Sequence, residues 1–412
     1  MKKLLLLMVT IIGLIWPLLG CQNSQETSAS GKTTIHFIHW RGEDVEVLNG
    51  IIKKFEKENP NIKVTMNVFP SDQYQTILQS KIRDGKAGDV FTSLPGAQFD
   101  ALAKAGFFTD LTNEKYISNY NEKLIRNGQK NGKQLAIPYQ LVFNQPVYNS
   151  EIFKKLGLEP PTDWEGFLNV CETLKKNGYI PIAFPGDLGP AQFMNSMVMN
   201  NMPNEDALKN LQAGKTKLTD KWWVKTLSQI EELKDKGYFQ KDVLGTKQDG
   251  AIALISQEKA AMFAMGSFSI ASIKKQNPDI QLDTLAPITV AADKAKYEGV
   301  HTSTFMLAIN QKSEKKEAAK KFLEFLSRPE IASEYANGTA QHVTVNNVKY
   351  ESEELKRLEP WVTKKTIFQP RYTITNTNVE KAVTGSIQDV LSGASPKEAA
   401  KKAQDIVKQN IK

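Results

Sequence analysis

Residues suited to binding a polar ligand stand just after two predicted strands. Trp40, Arg41 and Glu43 follow the first strand of the chain. Thr92 and Ser93 follow a short apolar strand further along. In open α/β sheets, ligands bind outside the carboxyl ends of the strands. A tryptophan at such an end is either a plug of the core or a stacking platform, and an aromatic face packs well on the apolar face of a pyranose ring. The ring hydroxyls would then need planar polar groups such as arginine and aspartate.

Local motifs give no support to catalysis or metal binding. Of four histidines, His36 and His39 stand three positions apart on a predicted strand, so they face opposite sides and cannot share a metal there. No H-E-x-x-H, Walker A or G-x-S-x-G motif occurs in the sequence. With 45 acidic residues, carboxylate pairs are too common to indicate a glycosidase. We therefore expect no catalytic residue, no cofactor and no metal, and a secreted glycan-active enzyme stays open as an alternative.

The composition is typical of a globular protein with more than one domain. The 412 residues are 41% hydrophobic and 24% charged, and the formal net charge is +8. At about 150 residues per domain, this length predicts two or three domains. Lysines spread along solvated helix faces, as between residues 312 and 321, and are not interleaved with aromatic residues. We therefore expect no nucleic-acid partner. Two cysteines exclude a disulfide scaffold.

The first 32 residues predict export and attachment to a membrane. Two lysines precede the apolar run 4–16, which is shorter than the roughly 20 residues of a membrane-spanning helix. The segment L-L-G-C that ends at Cys21 resembles the lipobox of bacterial lipoproteins. That resemblance implies removal of the signal peptide 1–20 and a lipid on the Cys21 sulfur. The polar residues 21–32 then predict a flexible tether on the extracytoplasmic face of the cell membrane. The alternative is an uncleaved membrane anchor.

Alternating strands and helices predict an α/β fold. Residues 34–40, 62–68 and 89–91 alternate or run apolar as strands do, and the helices 44–58 and 74–83 separate them.

Two helix starts carry capping-box patterns. Thr162 with Glu165 predicts the start of one helix, and Ser395 with Glu398 predicts the start of the last one. Cys171 falls on the apolar face of the first of these helices, which indicates a buried thiol.

Several segments together resemble the family 1 extracellular solute-binding proteins of bacterial ABC importers, the maltose-binding-protein type. Examples are F-E-K-E-N-P-N-I-K-V at 55–64 and L-A-K-A-G-F-F-T-D-L at 102–111. In the turn at 85–91, Gly88 replaces the family's usual proline. The order and spacing of the segments carry the resemblance. The other matching segments are 132–149, 156–164, 259–268 and 316–323.

This resemblance implies a type II periplasmic-binding-protein-like fold, with two lobes joined by hinge crossovers. The expected N-terminal lobe combines residues 33–142 with 302–343, and the C-terminal lobe combines 143–301 with 344–412. The resemblance also implies a monomer that binds a mono- or oligosaccharide between the lobes and delivers it to the permease of an ABC importer. A non-sugar solute, such as a polyamine, a peptide or a phosphorylated compound, is the alternative.

Carried onto this chain, the resemblance implies a set of ligand-binding residues at the strand ends and crossovers. Phe268 stands where the family commonly has a stacking tryptophan, so it keeps the aromatic face but lacks the N–H donor. His301, at a crossover, either contacts the ligand or lines the hinge. The full set is Trp40, Arg41, Glu43, Thr92, Ser93, Tyr139, Asp187, Phe268 and His301.

Overall fold

The computed structural model describes residues 31–83, 85 and 88–411. The predicted signal peptide, Cys21 and most of the predicted tether therefore lie outside the described residues. The strands are β1 (Thr33–His39), β2 (Ile62–Val68), β3 (Val90–Ser93), β4 (Gln129–Lys130), β5 (Lys133–Gln134), β6 (Ile137–Phe143), β7 (Val147–Asn149), β8 (Ile180–Ala183), β9 (Ala260–Phe263), β10 (Leu282–Thr284), β11 (Gly299–Ile309), β12 (His342–Val343) and β13 (Thr366–Phe368). The helices are α1 (Val45–Glu58), α2 (Tyr74–Ile82), α3 (Ala97–Lys104), α4 (Glu122–Ile125), α5 (Ser150–Leu156), α6 (Trp164–Lys176), α7 (Gly189–Val198), α8 (Ala207–Gln212), α9 (Lys221–Asp235), α10 (Gln248–Ser256), α11 (Ile270–Gln276), α12 (Lys316–Leu326), α13 (Pro329–Thr339), α14 (Glu353–Leu358), α15 (Thr377–Leu391) and α16 (Pro396–Asn410).

The first lobe is built on a sheet with the strand order β12, β6, β11, β3, β1, β2. β1 is parallel to β2 and β3, and β11 is antiparallel to β3 and β6. Phe37 from β1, Phe55 from α1 and Phe322 from α12 meet in the core of this lobe. The alternating pattern of β1 and the 3.6-residue period of α1 explain this core, because each buries one face of its element.

The second lobe contains a four-stranded sheet with the order β10, β7, β9, β8. Helices α9, α15 and α16 pack together beside it. Trp223 and Phe167 are fully buried in this core. Cys171 is also fully buried, and desolvation raises the pKa of its thiol far above the usual range, which confirms the prediction of an unreactive core cysteine.

Strands β6 and β11 run side by side from one lobe into the other. Just beyond β6, the Asn144 amide donates to the Val300 carbonyl, so the pairing continues into the second lobe. β13 pairs with the start of β11. This pairing places the start of β11 at Gly299.

The hydrophobic clusters suggest a refinement of the lobe boundaries. Val345 and Leu355 pack in the core of the first lobe, whereas Leu358 and Trp361 pack with residues of the second lobe. We therefore propose that the third crossing of the chain lies close to residues 355–358.

The two predicted capping boxes have different outcomes. Ser395 accepts from the Glu398 amide, and the Glu398 carboxylate accepts from the Ser395 amide, as the sequence predicts. The prediction for Thr162 is wrong by one residue, because the Asp163 carboxylate caps α6 by accepting from the Gly166 amide at 2.7 Å. Aspartate is a better N-cap than threonine, and it takes the position.

Across residues 31–83, 85 and 88–411, no helix has both the length and the hydrophobicity that crossing a membrane requires.

Candidate ligand-binding site between the lobes

Trp40 lies half-buried directly after β1, between two other aromatic side chains. Its ring centroid is 5.1 Å from that of Tyr74 and 5.2 Å from that of Phe305, and both contacts are edge-to-face. Tyr74 belongs to α2 and Phe305 to β11, so the indole bridges the helix layer and the hinge strand. These contacts fix the orientation of a ring that stays partly exposed.

The guanidinium group of Arg41 pairs with two carboxylates of its own loop. Its Nε and Nη2 donate to Asp44 at 2.6 and 3.0 Å, and Nη2 lies 3.1 Å from a Glu43 oxygen. Asp44 is fully buried and also accepts from the hydroxyl of Tyr335. Burial alone would lower the pKa of Arg41, but the charges of Asp44 and Glu43 outweigh it and raise that pKa. The Arg41 guanidinium group therefore stays charged and stabilises the loop.

His39, at the end of β1, is fully buried beneath this loop. Its Nδ1 accepts from the Arg41 amide at 3.2 Å, and its ring stacks on Phe37 at 4.9 Å. Desolvation, with a smaller contribution from the charge of Arg41, lowers its pKa to about 3. The imidazole is therefore neutral at physiological pH and carries its proton on Nε2.

Thr92 and Ser93 end β3 with contrasting hydrogen bonding. The Thr92 hydroxyl lies 3.0 Å from that of Tyr74, and the Tyr74 hydroxyl donates to the Thr92 carbonyl at 2.8 Å. Desolvation raises the pKa of Tyr74, so this phenol stays protonated. The Ser93 hydroxyl is buried and has no partner in the described part of the chain. Ser93 can therefore offer a hydroxyl to a ligand, while Thr92 positions α2.

Tyr139 and Asp187 each use polar atoms of their side chains on the backbone of their own lobe. Tyr139 is buried in the core of the first lobe, and its hydroxyl donates to the Leu326 carbonyl at 3.0 Å. Asp187 is exposed in the second lobe and accepts from the Leu188 amide at 2.9 Å.

Phe268 and His301 both adjoin Phe143 at the end of β6. His301 is in register with Phe143, and its Nδ1 lies 2.9 Å from the Thr366 hydroxyl. Phe268 covers Gly266, where an added Cβ would lie only 2.8 Å from the Phe268 ring and 2.9 Å from the Phe143 carbonyl. The glycine thus lets this half-buried ring pack against the hinge. Desolvation lowers the pKa of His301, which favours the neutral ring at physiological pH.

Three polar side chains that the sequence analysis missed converge on the hinge strands. Asn144 follows β6, Thr302 lies on β11, and Gln369 follows β13. Thr302 is paired with Val142, and the backbone N–H of Gln369 donates to the His301 carbonyl. All three residues therefore lie close together along the hinge. Sequence reasoning missed them because only strand pairing brings positions 144, 302 and 369 together.

Each of these three side chains has at least one polar atom without a hydrogen-bond partner among the described residues. The Asn144 Oδ1, the Thr302 hydroxyl and both atoms of the Gln369 amide are buried and lack a hydrogen-bond partner among the described residues. Gln369 is fully buried. A buried polar group without a partner costs about 1–3 kcal/mol. Ligand hydroxyls are groups that could satisfy these atoms.

The two lobes touch beside this cluster. Gly96, in the loop after β3, has a φ of +80° and lies so close to Tyr372 that a Cβ would be 3.0 Å from the Tyr372 carbonyl oxygen. Arg371 stacks on Tyr372 at 4.5 Å and pairs with Glu380 at 2.7 Å. A groove of about 300 Å³, lined by residues of both lobes that include Phe99 and Tyr372, opens next to this contact.

The model of one protein family matches most of the chain. It is that of the bacterial extracellular solute-binding proteins, and it aligns with residues 41–333. The chain belongs to this family. It is therefore an extracellular solute-binding protein. The family consists of binding proteins, and within the described ranges no cluster of His, Cys, Asp and Glu is arranged to hold a metal ion.

Relatives of this solute-binding protein include a multiple sugar-binding protein of Streptococcus mutans, 28% identical over 82% of each chain. The melibiose/raffinose/stachyose-binding protein of Bacillus subtilis is 24% identical over 85% of this chain and 82% of its own. A sugar transporter protein of Bacillus licheniformis, solved with stachyose, has the same fold with a TM-score of 0.75. It is 23% identical, and the match covers 90% of this chain and 98% of that chain.

Proposed function

We propose that this solute-binding protein captures a carbohydrate between its lobes and delivers it to an ABC importer. The observation that carries the proposal is the group of unpartnered polar atoms of Asn144, Thr302 and Gln369 at the hinge. Amide groups offer both donors and acceptors, which suits the paired hydroxyls of a sugar. The sugar-binding relatives support the same class of ligand.

Aromatic side chains supply the apolar half of sugar recognition. Trp40 enters from the first lobe and Phe268 from the second, and both are half-buried. In this proposal Ser93 adds a hydroxyl from the first lobe, and the ligand contacts from both lobes stabilise the closed arrangement. Such a ligand favours closure only by its higher affinity for the closed state.

The charges of the site favour a neutral solute over an anionic one. Arg41 is neutralised by Asp44 and Glu43, and Arg371 is neutralised by Glu380. A phosphorylated compound would need a positive charge that no neighbouring carboxylate offsets. Arg371 Nε is buried without a hydrogen-bond partner among the described residues, but Glu380 offsets its charge, and the unpartnered atoms of Asn144, Thr302 and Gln369 are uncharged.

The test is a thermal-shift and calorimetric screen of the protein from residue 33 onward against melibiose, raffinose, stachyose and maltose, with sn-glycerol 3-phosphate and spermidine as non-sugar solutes. A rise in melting temperature with a sugar, together with unchanged sugar in the solution afterwards, is expected. A response to a non-sugar solute alone, or the appearance of hydrolysis products, would overturn the proposal.

We further propose that the protein acts as a monomer anchored through lipid on Cys21 at the extracytoplasmic membrane face. The lipobox-like segment before Cys21 supports this proposal. When cells that express Cys21→Ala are fractionated, the variant should be found in the soluble fraction and not in the membrane fraction. Retention of that variant in the membrane would argue for an uncleaved anchor instead.

A further inference from the structure

One buried residue of the hinge strand has a backbone conformation that bulky side chains rarely adopt. Phe305 has a φ of +51° in the middle of β11, although Thr304 and Met306 on either side remain paired with β6. Aromatic residues are rare in this left-handed region, because the Cβ comes too close to the following carbonyl. Such conformations persist only where the surroundings enforce them, and they concentrate at functional sites.

The surroundings of Phe305 identify what its ring does. The residue is 1% exposed, and its ring centroid lies 5.2 Å from Trp40 and 5.7 Å from His39, edge-to-face in both cases. A left-handed residue breaks the regular alternation of a strand and changes the direction in which its side chain leaves. The strained backbone and the position of the ring against Trp40 are therefore coupled.

We infer that Phe305 is a positioning residue that fixes the orientation of the Trp40 indole in the cleft and thereby sets ligand affinity. Phe305 itself belongs to the core of the first lobe and is 1% exposed. It acts from the hinge strand, so the orientation of the platform is tied to the strand that joins the lobes. The effect on affinity rests on the proposed function, whereas the effect on Trp40 does not.

The first experiment needs no ligand. The protein is labelled with 5-fluorotryptophan and its fluorine NMR spectrum is recorded. The fluorine signal of Trp40 is assigned by its loss in Trp40→Phe. Phe305→Leu should shift or broaden this signal, because leucine keeps the bulk but removes the ring. The matched control is Phe322→Leu, a fully buried phenylalanine of the same core whose ring contacts are with Phe37 and Phe55. An unchanged Trp40 signal in Phe305→Leu would overturn the inference. Phe305→Met serves in the same way if the leucine variant does not fold.

The second experiment measures affinity for raffinose by calorimetry in a double-mutant cycle. Phe305→Leu should weaken binding about fivefold in the wild-type background, the scale of one aromatic pair, and should cause no further loss in Trp40→Ala. Equal losses in both backgrounds would show that Phe305 does not act through Trp40. If the wild-type protein binds none of the sugars, the proposed function fails, while the fluorine spectra still decide whether Phe305 positions Trp40.

Discussion

The loop after β1 and the hinge strands differ in whether their buried polar groups have hydrogen-bond partners. In the loop, Arg41 and Asp44 are nearly inaccessible to solvent, and each is fully engaged by neighbouring side chains. At the hinge, Thr302 and Gln369 are equally buried but have polar atoms without partners. The satisfied charges hold the loop in shape, whereas the unsatisfied neutral groups at the hinge are those that we propose as ligand contacts.

The largest expected effect is a loss of stability when the buried pair of Arg41 and Asp44 is broken. Asp44→Ala leaves Arg41 buried with only Glu43 as a counter-charge, so the free energy of unfolding should fall by about 3–5 kcal/mol. Urea unfolding followed by circular dichroism measures it. The control is Glu334→Gln, which breaks an exposed pair with Lys54 and should cost less than about 1 kcal/mol. Similar losses in the two variants would contradict the role given to the buried pair.

Acidification should also weaken the protein through its buried neutral histidines. Burial lowers the pKa of His39 to about 3 and that of His342 to about 4, below the ordinary value of 6.5. The unfolded chain therefore binds protons first, and stability should fall as the pH decreases below about 6.5. Each histidine contributes a slope of about 1.4 kcal/mol per pH unit down to its folded-state pKa. Unfolding at several pH values should show a smaller slope for His39→Asn and for His342→Asn, and an unchanged slope would refute the assignment.

An intermediate effect is expected at the aromatic platform. Trp40→Ala should leave the protein folded and weaken sugar binding by about 1–3 kcal/mol, because a large apolar contact with the ligand is lost. Calorimetry with the sugar that gives the largest thermal shift measures the change. Unaltered affinity would remove Trp40 from the site.

The sharpest form of the comparison uses two buried glutamines. Gln369→Leu should reduce sugar affinity by about 1 kcal/mol and leave stability unchanged or slightly higher, since it removes polar atoms that lack partners. Gln140→Leu should instead lower stability by about 1 kcal/mol, because the Gln140 amide hydrogen-bonds to Tyr335 and lies 3.4 Å from Asp44. If both variants lost stability alike, the unpartnered state of Gln369 would not mark a ligand site.

Predictions from the sequence succeeded where the signal was local. Strand β1, helix α1 and the capping box at Ser395 follow from periodicity and from short-range hydrogen bonds. The same reasoning placed Trp40 and Ser93 at strand ends. It could not foresee that Tyr139 uses its hydroxyl on Leu326, because that partner lies far away in the sequence.

The sequence by itself determined the α/β alternation, the membership of a solute-binding family and the positions of the strand ends. Those features depend on side-chain period and on ordered motifs within short stretches of chain. Only the tertiary structure decided which polar groups are free, because their partners come from distant segments. Asp44 accepts from the hydroxyl of the distant Tyr335, and Gln369 reaches the hinge only because β13 pairs with β11. The left-handed backbone of Phe305 is likewise invisible in the sequence, since the rings that pack against it, those of Trp40 and His39, come from a distant segment of the chain.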